Sequence, residues 1–343
     1  MKSKAAILVE LKKPLVIEEV EIPSLGYGQV LVQVGVSRIC GSQLGEIEGV
    51  KGLDHWLPHL LGHEGGGTVL EVGPEVTHVK PGDRVVLHWR PGAGIQARPP
   101  VYRGEGGRVV NAGWITTFNQ YAVVSENRLT KVPQDTDLEV CSLMADTITT
   151  GFGAITNDAG VKIGESVVII GVGGIGLGAV LGAHLAGAHP VVAVDLHDHK
   201  LQQALRSGAT HAFNAHDTSW NEQVKQALGG HADVVIDGTG SPEVMRKAWS
   251  LAGTRGRMVG IGVMRFDQEF SLNTLPLHFG KILTGSEGGA SRPHIDIPRY
   301  LRMLADKRIH FDGFVSHRCK LEDINEAIAT MRAGDSLHTM VHF

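Results

Sequence analysis

Two short motifs and one glycine run hold the residue types from which chemistry could be built. Ser37-Arg38-Ile39-Cys40-Gly41-Ser42 follows an apolar run, and Leu61-Gly62-His63-Glu64-Gly65-Gly66-Gly67 precedes another. Thiolate and imidazole are favoured zinc ligands, and catalytic zinc sites use three protein ligands plus an open position. Taken singly, Cys40 reads as a small buried apolar residue and His63 as a satisfied core histidine. The glycines flanking His63 would let backbone crowd close to a metal, so the two motifs together read as part of a metal site.

The glycine run is Gly171-Val172-Gly173-Gly174-Ile175-Gly176, which matches G-x-G-x-x-G. Val167 to Ile170 before it reads as a strand buried on both faces, Leu177 to Leu185 after it as a helix, and Val191 to Val194 as a second strand closed by Asp195. In such a unit Gly171 permits the tight turn. Gly173 lets a pyrophosphate approach the backbone, and Gly176 lets the helix pack close to the sheet. The helix N-terminus, with Gly174 and Ile175, offers N–H groups and a positive dipole end to the phosphates. Asp195, 24 positions after Gly171, is placed to accept hydrogen bonds from ribose hydroxyls, and its charge disfavours a 2′-phosphate. NAD is therefore expected over NADP. The stretch 167–188 is apolar enough to suggest a membrane span, but its glycines, His184 and the following Asp195 argue for the cofactor unit.

These groups need elements to position them. Residues 1–145 read as short strands (5–9, 15–18, 29–36, 67–72 and 84–87) separated by Pro and Gly turns such as Gly73-Pro74 and Lys80-Pro81-Gly82-Asp83. That pattern suggests a partly closed barrel. Beyond residue 146, strands and helices alternate: helices at 201–206 and 220–228, and strands at 233–237 and within 256–262. A doubly wound parallel sheet follows. Ser241-Pro242-Glu243 has the makings of a capped helix start. Residues 293–307 and 321–332 read as amphipathic helices, and 339–343 as a last strand.

Composition agrees with a globular protein of two domains: 343 residues, 42% hydrophobic, 20% charged, 45 glycines. A net charge of −4 gives no reason to expect nucleic acid or an anionic membrane as partner. Cys40, Cys141 and Cys319 are too few for a disulfide framework, which suits a reducing, cytoplasmic setting. The apolar stretch Ala5 to Val9 is too short for a signal-peptide core.

Cys40-Gly41-Ser42, Gly62-His63-Glu64-Gly65, Lys80-Pro81-Gly82-Asp83-Arg84-Val85, Thr149-Thr150-Gly151-Phe152 and the glycine run occur in one order along nearly the whole chain. In this the sequence resembles the zinc-dependent medium-chain dehydrogenase/reductase (alcohol dehydrogenase) family. The resemblance implies an α/β protein: a GroES-like β-rich catalytic domain (1–147 and 288–343) and a doubly wound Rossmann domain that binds NAD (148–287). It implies a catalytic zinc on Cys40 and His63, with Asp146, four residues before Thr150, as third ligand; Glu64 or Cys141 are the substitutes. Glu64 would be a nearby carboxylate able to bind the metal transiently. Ser42 would hydrogen-bond the substrate oxygen and start its proton toward solvent. Trp89, and more weakly Trp114, would line the substrate pocket. Lys200 would lie near the adenosine ribose. His338 would stand where relatives often carry an Arg on the cofactor pyrophosphate, which makes that contact pH-dependent.

Two departures stand out. Residues 90–112 contain no cysteine, so no structural zinc is expected, and Gly45 occupies the place of the family's relay histidine. Arg90, Arg98, Arg103 and Arg108 make the 90–112 lobe basic; it reads as a solvated loop or subunit contact before it reads as a site for an anionic substrate. The expected activity is hydride transfer between an alcohol and NAD in a homodimer or homotetramer. A zinc-free enone or quinone reductase of the same superfamily and a non-catalytic NAD-binding protein are the alternatives.

Overall fold

The computed structural model describes residues 1–343. The chain folds into two compact units, Met1–Asp146 with Arg292–Phe343, and Thr147–Ser291.

The first unit is built on the strand Gln29–Ile39, whose valines and isoleucine are buried. It pairs antiparallel with Glu64–Val72, Tyr121–Ser125 and His338–His342. Arg84–His88 and Leu129–Lys131 extend this sheet on one side and Val315–Lys320 on the other. Register breaks between Leu31 and Val32 and between Val34 and Val36 interrupt the ladder with Glu64–Val72. The strands Lys2–Leu8, Val16–Glu21, Val101–Arg103, Val109–Asn111 and His59–Leu60 close into a small barrel. One core cluster on the large sheet is almost wholly aliphatic, led by Val30, Val32, Val34, Val69, Val85, Leu87 and Val124, while Ile7, Val20, Tyr102 and Val110 of the barrel pack with Leu31 and Val123 of the sheet.

Glycine settles where this unit's helices sit. A Cβ on Gly66 would stand 2.7 Å from Cys141 Cβ and 2.8 Å from the Leu138 carbonyl; one on Gly35 would stand 2.5 Å from Leu138 Cδ1. Gly66, with Gly35 on the neighbouring strand, thus makes room for the helix Leu138–Leu143 to lie directly on the sheet, whereas Gly65 is crowded by the Val36 carbonyl and Thr117. Gly62 differs, needing φ 88°. Asp137 caps that helix, accepting from the N–H groups of Glu139 and Val140 at 2.8 and 3.1 Å. The chain then runs into a π-helical turn, Met144–Ile148, a form often met at functional sites.

The second unit is a six-stranded sheet in the order His211–Asn214, Val191–Asp195, Val167–Ile170, Ala232–Asp237, Ala252–Gly260 and Ile282–Gly285, parallel throughout. Val167–Ile170 is buried on both faces, as its β-branched run predicts. The apolar stretch that could have suggested a membrane span resolves into this strand and the helix Gly174–Leu185; no helix in the protein is long and apolar enough to cross a membrane. Helix Thr149–Gly153 crosses Gly174–Leu185 glycine on glycine, a Gly151 Cβ falling 2.5 Å from the Gly178 carbonyl carbon. Ser241 occupies the N-cap of Pro242–Leu251, yet its hydroxyl makes no capping bond there; Pro242 at the first turn marks the start.

Residues 90–112 are held by carboxylate and hydroxyl groups of the neighbouring turn. The Glu126 carboxylate accepts from the N–H groups of Thr77, His78 and Ile95 at 2.7–2.8 Å, and Ser125 Oγ accepts from Ala97 N–H at 2.7 Å. Arg108 pairs with Glu18 at 2.8 Å. His88 is fully buried, donating from Nδ1 to the Arg90 carbonyl and accepting at Nε2 from Thr130 Oγ1, both at 2.8 Å.

Burial, which outweighs its hydrogen bonds, depresses the His88 imidazole to about 4. A depressed histidine binds fewer protons folded than unfolded, so it supports the fold above the unfolded value and loses that support as pH falls from about 6.5 to 4. Chemical denaturation across this range should show a loss of about 3 kcal/mol from this group. His88→Gln should remove that part of the slope, and a slope unchanged by the substitution would contradict the assignment.

Candidate functional site

Cys40 ends the strand Gln29–Ile39 and stands at the N-cap of the short helix Gly41–Ile47. His63 and Glu64 lead into the strand Glu64–Val72, which runs antiparallel beside Gln29–Ile39. Asp146 sits on the π turn that the glycine-bedded helix delivers. One ligand atom from each of Cys40, His63, Glu64 and Asp146 lies within 4.8 Å of the others. His63 Nε2 is 3.7 Å from Asp146 Oδ2 and 3.6 Å from Glu64 Oε1, and Cys40 Sγ is 4.0 Å from Asp146 Oδ2. Ligands at zinc's usual ~2.0–2.3 Å, arranged as a tetrahedron, stand roughly 3.3–3.8 Å apart, so the spacing suits the ion.

Each of these side chains is oriented by another. Trp89 Nε1–H donates to Asp146 Oδ1 at 2.9 Å, while Oδ2 faces Cys40 and His63. Gln43, fully buried, accepts the Cys40 N–H at its Oε1 and lies 2.7 Å from His63 Nδ1 through its Nε2. Ser42 Oγ is 3.4 Å from His63 Nε2. Arg38 donates from Nε and Nη2 to the two Glu64 oxygens at 2.8 and 2.9 Å, both residues buried. Ser37 Oγ holds the Glu64 carbonyl at 3.0 Å and Thr117 Oγ1 at 2.7 Å.

The charges in this site favour metal binding. Burial alone would raise the Cys40 thiol, but the Arg38 guanidinium and then His63 bring it down to about 6, so a thiolate is at hand at neutral pH. Burial opposes a proton on His63, yet the Asp146 and Cys40 acceptors hold its value well above the ordinary imidazole range. Burial is also the largest influence on Glu64 and pushes its carboxyl well above the usual range, against the pull of Arg38, so a cation entering the site would displace protons from donors that burial holds protonated.

Cys40, His63, Glu64, Asp146, Ser42 and Trp89 are thus brought together. Cys141, the substitute ligand, is not among them: it faces Gly66 from the helix Leu138–Leu143. Trp114 is half exposed, with the Arg128 guanidinium 5.3 Å over its ring. His338 is buried on the last strand, Nδ1 donating to the Phe314 carbonyl at 2.8 Å and its ring stacked on Phe314. Arg38 and Gln43 went unassigned in the sequence. An Arg inside an apolar strand beside Cys40 was a signal, because a buried guanidinium needs a partner.

In the second unit the glycine run makes the tight turn and close helix packing that its spacing predicts. Gly171 has φ 86°, and a Cβ on Gly176 would stand 2.0 Å from the Gly171 carbonyl. Gly173, at the N-cap of Gly174–Leu185, makes no side-chain capping bond, and a Cβ there would meet nothing within 4 Å. Asp195 accepts the Val172 N–H at 2.9 Å and the His197 N–H at 3.0 Å, which fixes its carboxylate beside the turn. Lys200 follows within the first turn of the helix Asp198–Arg206.

Comparison with known proteins agrees with this geometry. The alcohol dehydrogenase GroES-like domain profile matches residues 26–134, and the zinc-binding dehydrogenase profile matches residues 174–306. An alcohol dehydrogenase class-3 from Cereibacter sphaeroides is 32% identical over 378 aligned positions, covering 100% of both chains. An NDMA-dependent alcohol dehydrogenase from Amycolatopsis methanolica is 31% identical, covering 99% of each. The crystal structure of benzyl alcohol dehydrogenase from Acinetobacter calcoaceticus superposes with a TM-score of 0.90 at 26% identity, covering 100% of this chain and 99% of that one. The chain belongs to the zinc-dependent medium-chain dehydrogenase/reductase (alcohol dehydrogenase) family and is an oxidoreductase of alcohols and aldehydes.

Proposed function

We propose that Cys40, His63 and Asp146 hold a single zinc ion, that the unit Thr147–Ser291 binds NAD(H), and that the two together run reversible hydride transfer on a small alcohol or carbonyl compound in the cytoplasm. The carrying observation is the convergence of four donor atoms within 4.8 Å. When bound, zinc supplies Lewis-acid polarisation and the nicotinamide supplies the hydride chemistry.

The chain's own residues do the rest. Trp89 fixes Asp146 and Gln43 orients the His63 ring. Ser42 Oγ, beside His63 Nε2, takes the hydroxyl proton of the alcohol and passes it on; with Gly45 in the place of a relay histidine, that proton goes next to water or a cofactor hydroxyl. Glu64 is the reserve carboxylate, and Trp89 offers its ring as a wall for the substrate. Gly171, Gly173, Gly174, Ile175 and Gly176 seat the pyrophosphate and Asp195 the ribose, with Lys200 nearby.

A homodimer formed about the open edge of the parallel sheet suits this unit. Ile282–Gly285 is an edge strand, and Leu275, Leu277 and Phe279 (61% exposed) on the turn leading into it, with Ile282 itself, are exposed apolar residues. Such an edge and patch would be covered by pairing with a second copy about a two-fold axis.

Three results are expected. Protein purified without chelator should carry one zinc per chain, and Cys40→Ala should lose the metal and its turnover while still binding NADH; an active, metal-free Cys40→Ala protein would refute the assignment. NADPH should bind at least about tenfold more weakly than NADH because a phosphate would meet Asp195, and Asp195→Asn should narrow the gap; equal affinities in the wild type would exclude this role. Light scattering should give a dimer mass, or a multiple of it, that Phe279→Asp lowers toward the monomer; an unaffected assembly would place the interface elsewhere.

A further inference from the structure

By distance alone Glu64 is as good a metal ligand as Asp146. Its Oε1 lies 3.6 Å from His63 Nε2, against 3.7 Å for Asp146 Oδ2. Four protein donors on zinc would close the coordination shell and leave no position for a substrate oxygen. The two carboxylates differ in what holds them. Asp146 is held at one oxygen by a neutral indole N–H. Glu64 is held at both oxygens by the fork of a guanidinium, on a side chain that is fully buried. Both Glu64 oxygens accept from the one guanidinium, so drawing the carboxylate onto the metal would break both hydrogen bonds of the fork inside a buried site.

We propose that Arg38 is a positioning residue that restrains Glu64 from resident ligation and thereby keeps one zinc position open for the substrate oxygen. Resting on the zinc assignment above, this adds the residue that sets the coordination number. Arg38 lies in the strand Gln29–Ile39, opposite Met340 of the last strand, so its backbone is locked by pairing on a buried sheet. The restraint is therefore part of the scaffold and not of a mobile loop.

Cobalt in place of zinc tests this, because its visible bands report coordination and the neutral ligand imidazole reports an open position. Wild-type protein should take up one cobalt per chain and bind imidazole at pH 8 with a spectral shift. Arg38→Met should take up cobalt, show altered bands before any ligand is added, and bind imidazole at least about tenfold more weakly. Arg38→Met with Glu64→Gln should recover wild-type imidazole binding, a rescue that a merely structural role for Arg38 would not produce. If Arg38→Met does not fold, Arg38→Lys keeps the charge and loses the fork, and should bind imidazole at least about threefold more weakly. Imidazole binding unchanged in the folded variant, or not rescued by Glu64→Gln, would overturn the inference. A wild-type protein that binds no cobalt would instead refute the zinc site itself.

Discussion

Cys40, Glu64 and Asp146 can place three negative charges within 4.8 Å of one another and largely out of water. Like charges in a buried setting repel strongly, and burial favours the neutral form of each. The surroundings answer this repulsion. Arg38 supplies a buried positive charge against Glu64, His63 stands between the acids, and the remaining imbalance is what a divalent cation would neutralise. Removing one partner from such a set leaves an uncompensated charge, which costs about 3–5 kcal/mol. Function and folding of this region are therefore one electrostatic problem.

The solution depends on close backbone approach. Gly66 and Gly35 carry no side chains, so the helix Leu138–Leu143 can rest on the strands beneath it and deliver the π turn with Asp146 to the other donors. A single Cβ at Gly66 would press on Cys141 and Leu138, and overpacking of this kind costs about 1–3 kcal/mol. The same device recurs in the dinucleotide unit, where Gly151 meets Gly178 and Gly176 meets Gly171. Close packing thus positions an acid in one unit and a helix N-terminus in the other.

The lobe at residues 90–112 shows a second way of ordering a loop. With no cysteine in it, its turns are gathered by Glu126, Ser125 and the Arg108–Glu18 pair. A carboxylate that accepts three backbone N–H groups ties together segments far apart in sequence. The basic character of the lobe is taken up in part by this packing, Arg90 lying 5.6 Å over the Trp89 ring.

Much was legible in the sequence because it is encoded locally. The β-branched run at 167–170, the spacing of Gly171, Gly173 and Gly176, and the terminal Asp195 specify a strand, a turn and an anion-binding helix start through nearest-neighbour geometry alone. Cys40 and His63 became candidate ligands only when two short motifs were read together, and Asp146 only through its place four residues before Thr150 in the order of motifs that the family shares. What only the tertiary structure decided is which of these residues touch. Trp89 reaching Asp146, Gln43 bridging Cys40 and His63, and Arg38 gripping Glu64 join strands and turns across 20 to 57 positions of sequence, and no periodicity records such a pairing. The glycine run after His63 likewise announced close approaches, but that Gly66 would meet a helix some seventy residues on and Gly62 the segment at Thr117 and Phe118 was decided by sheet register and not sequence adjacency.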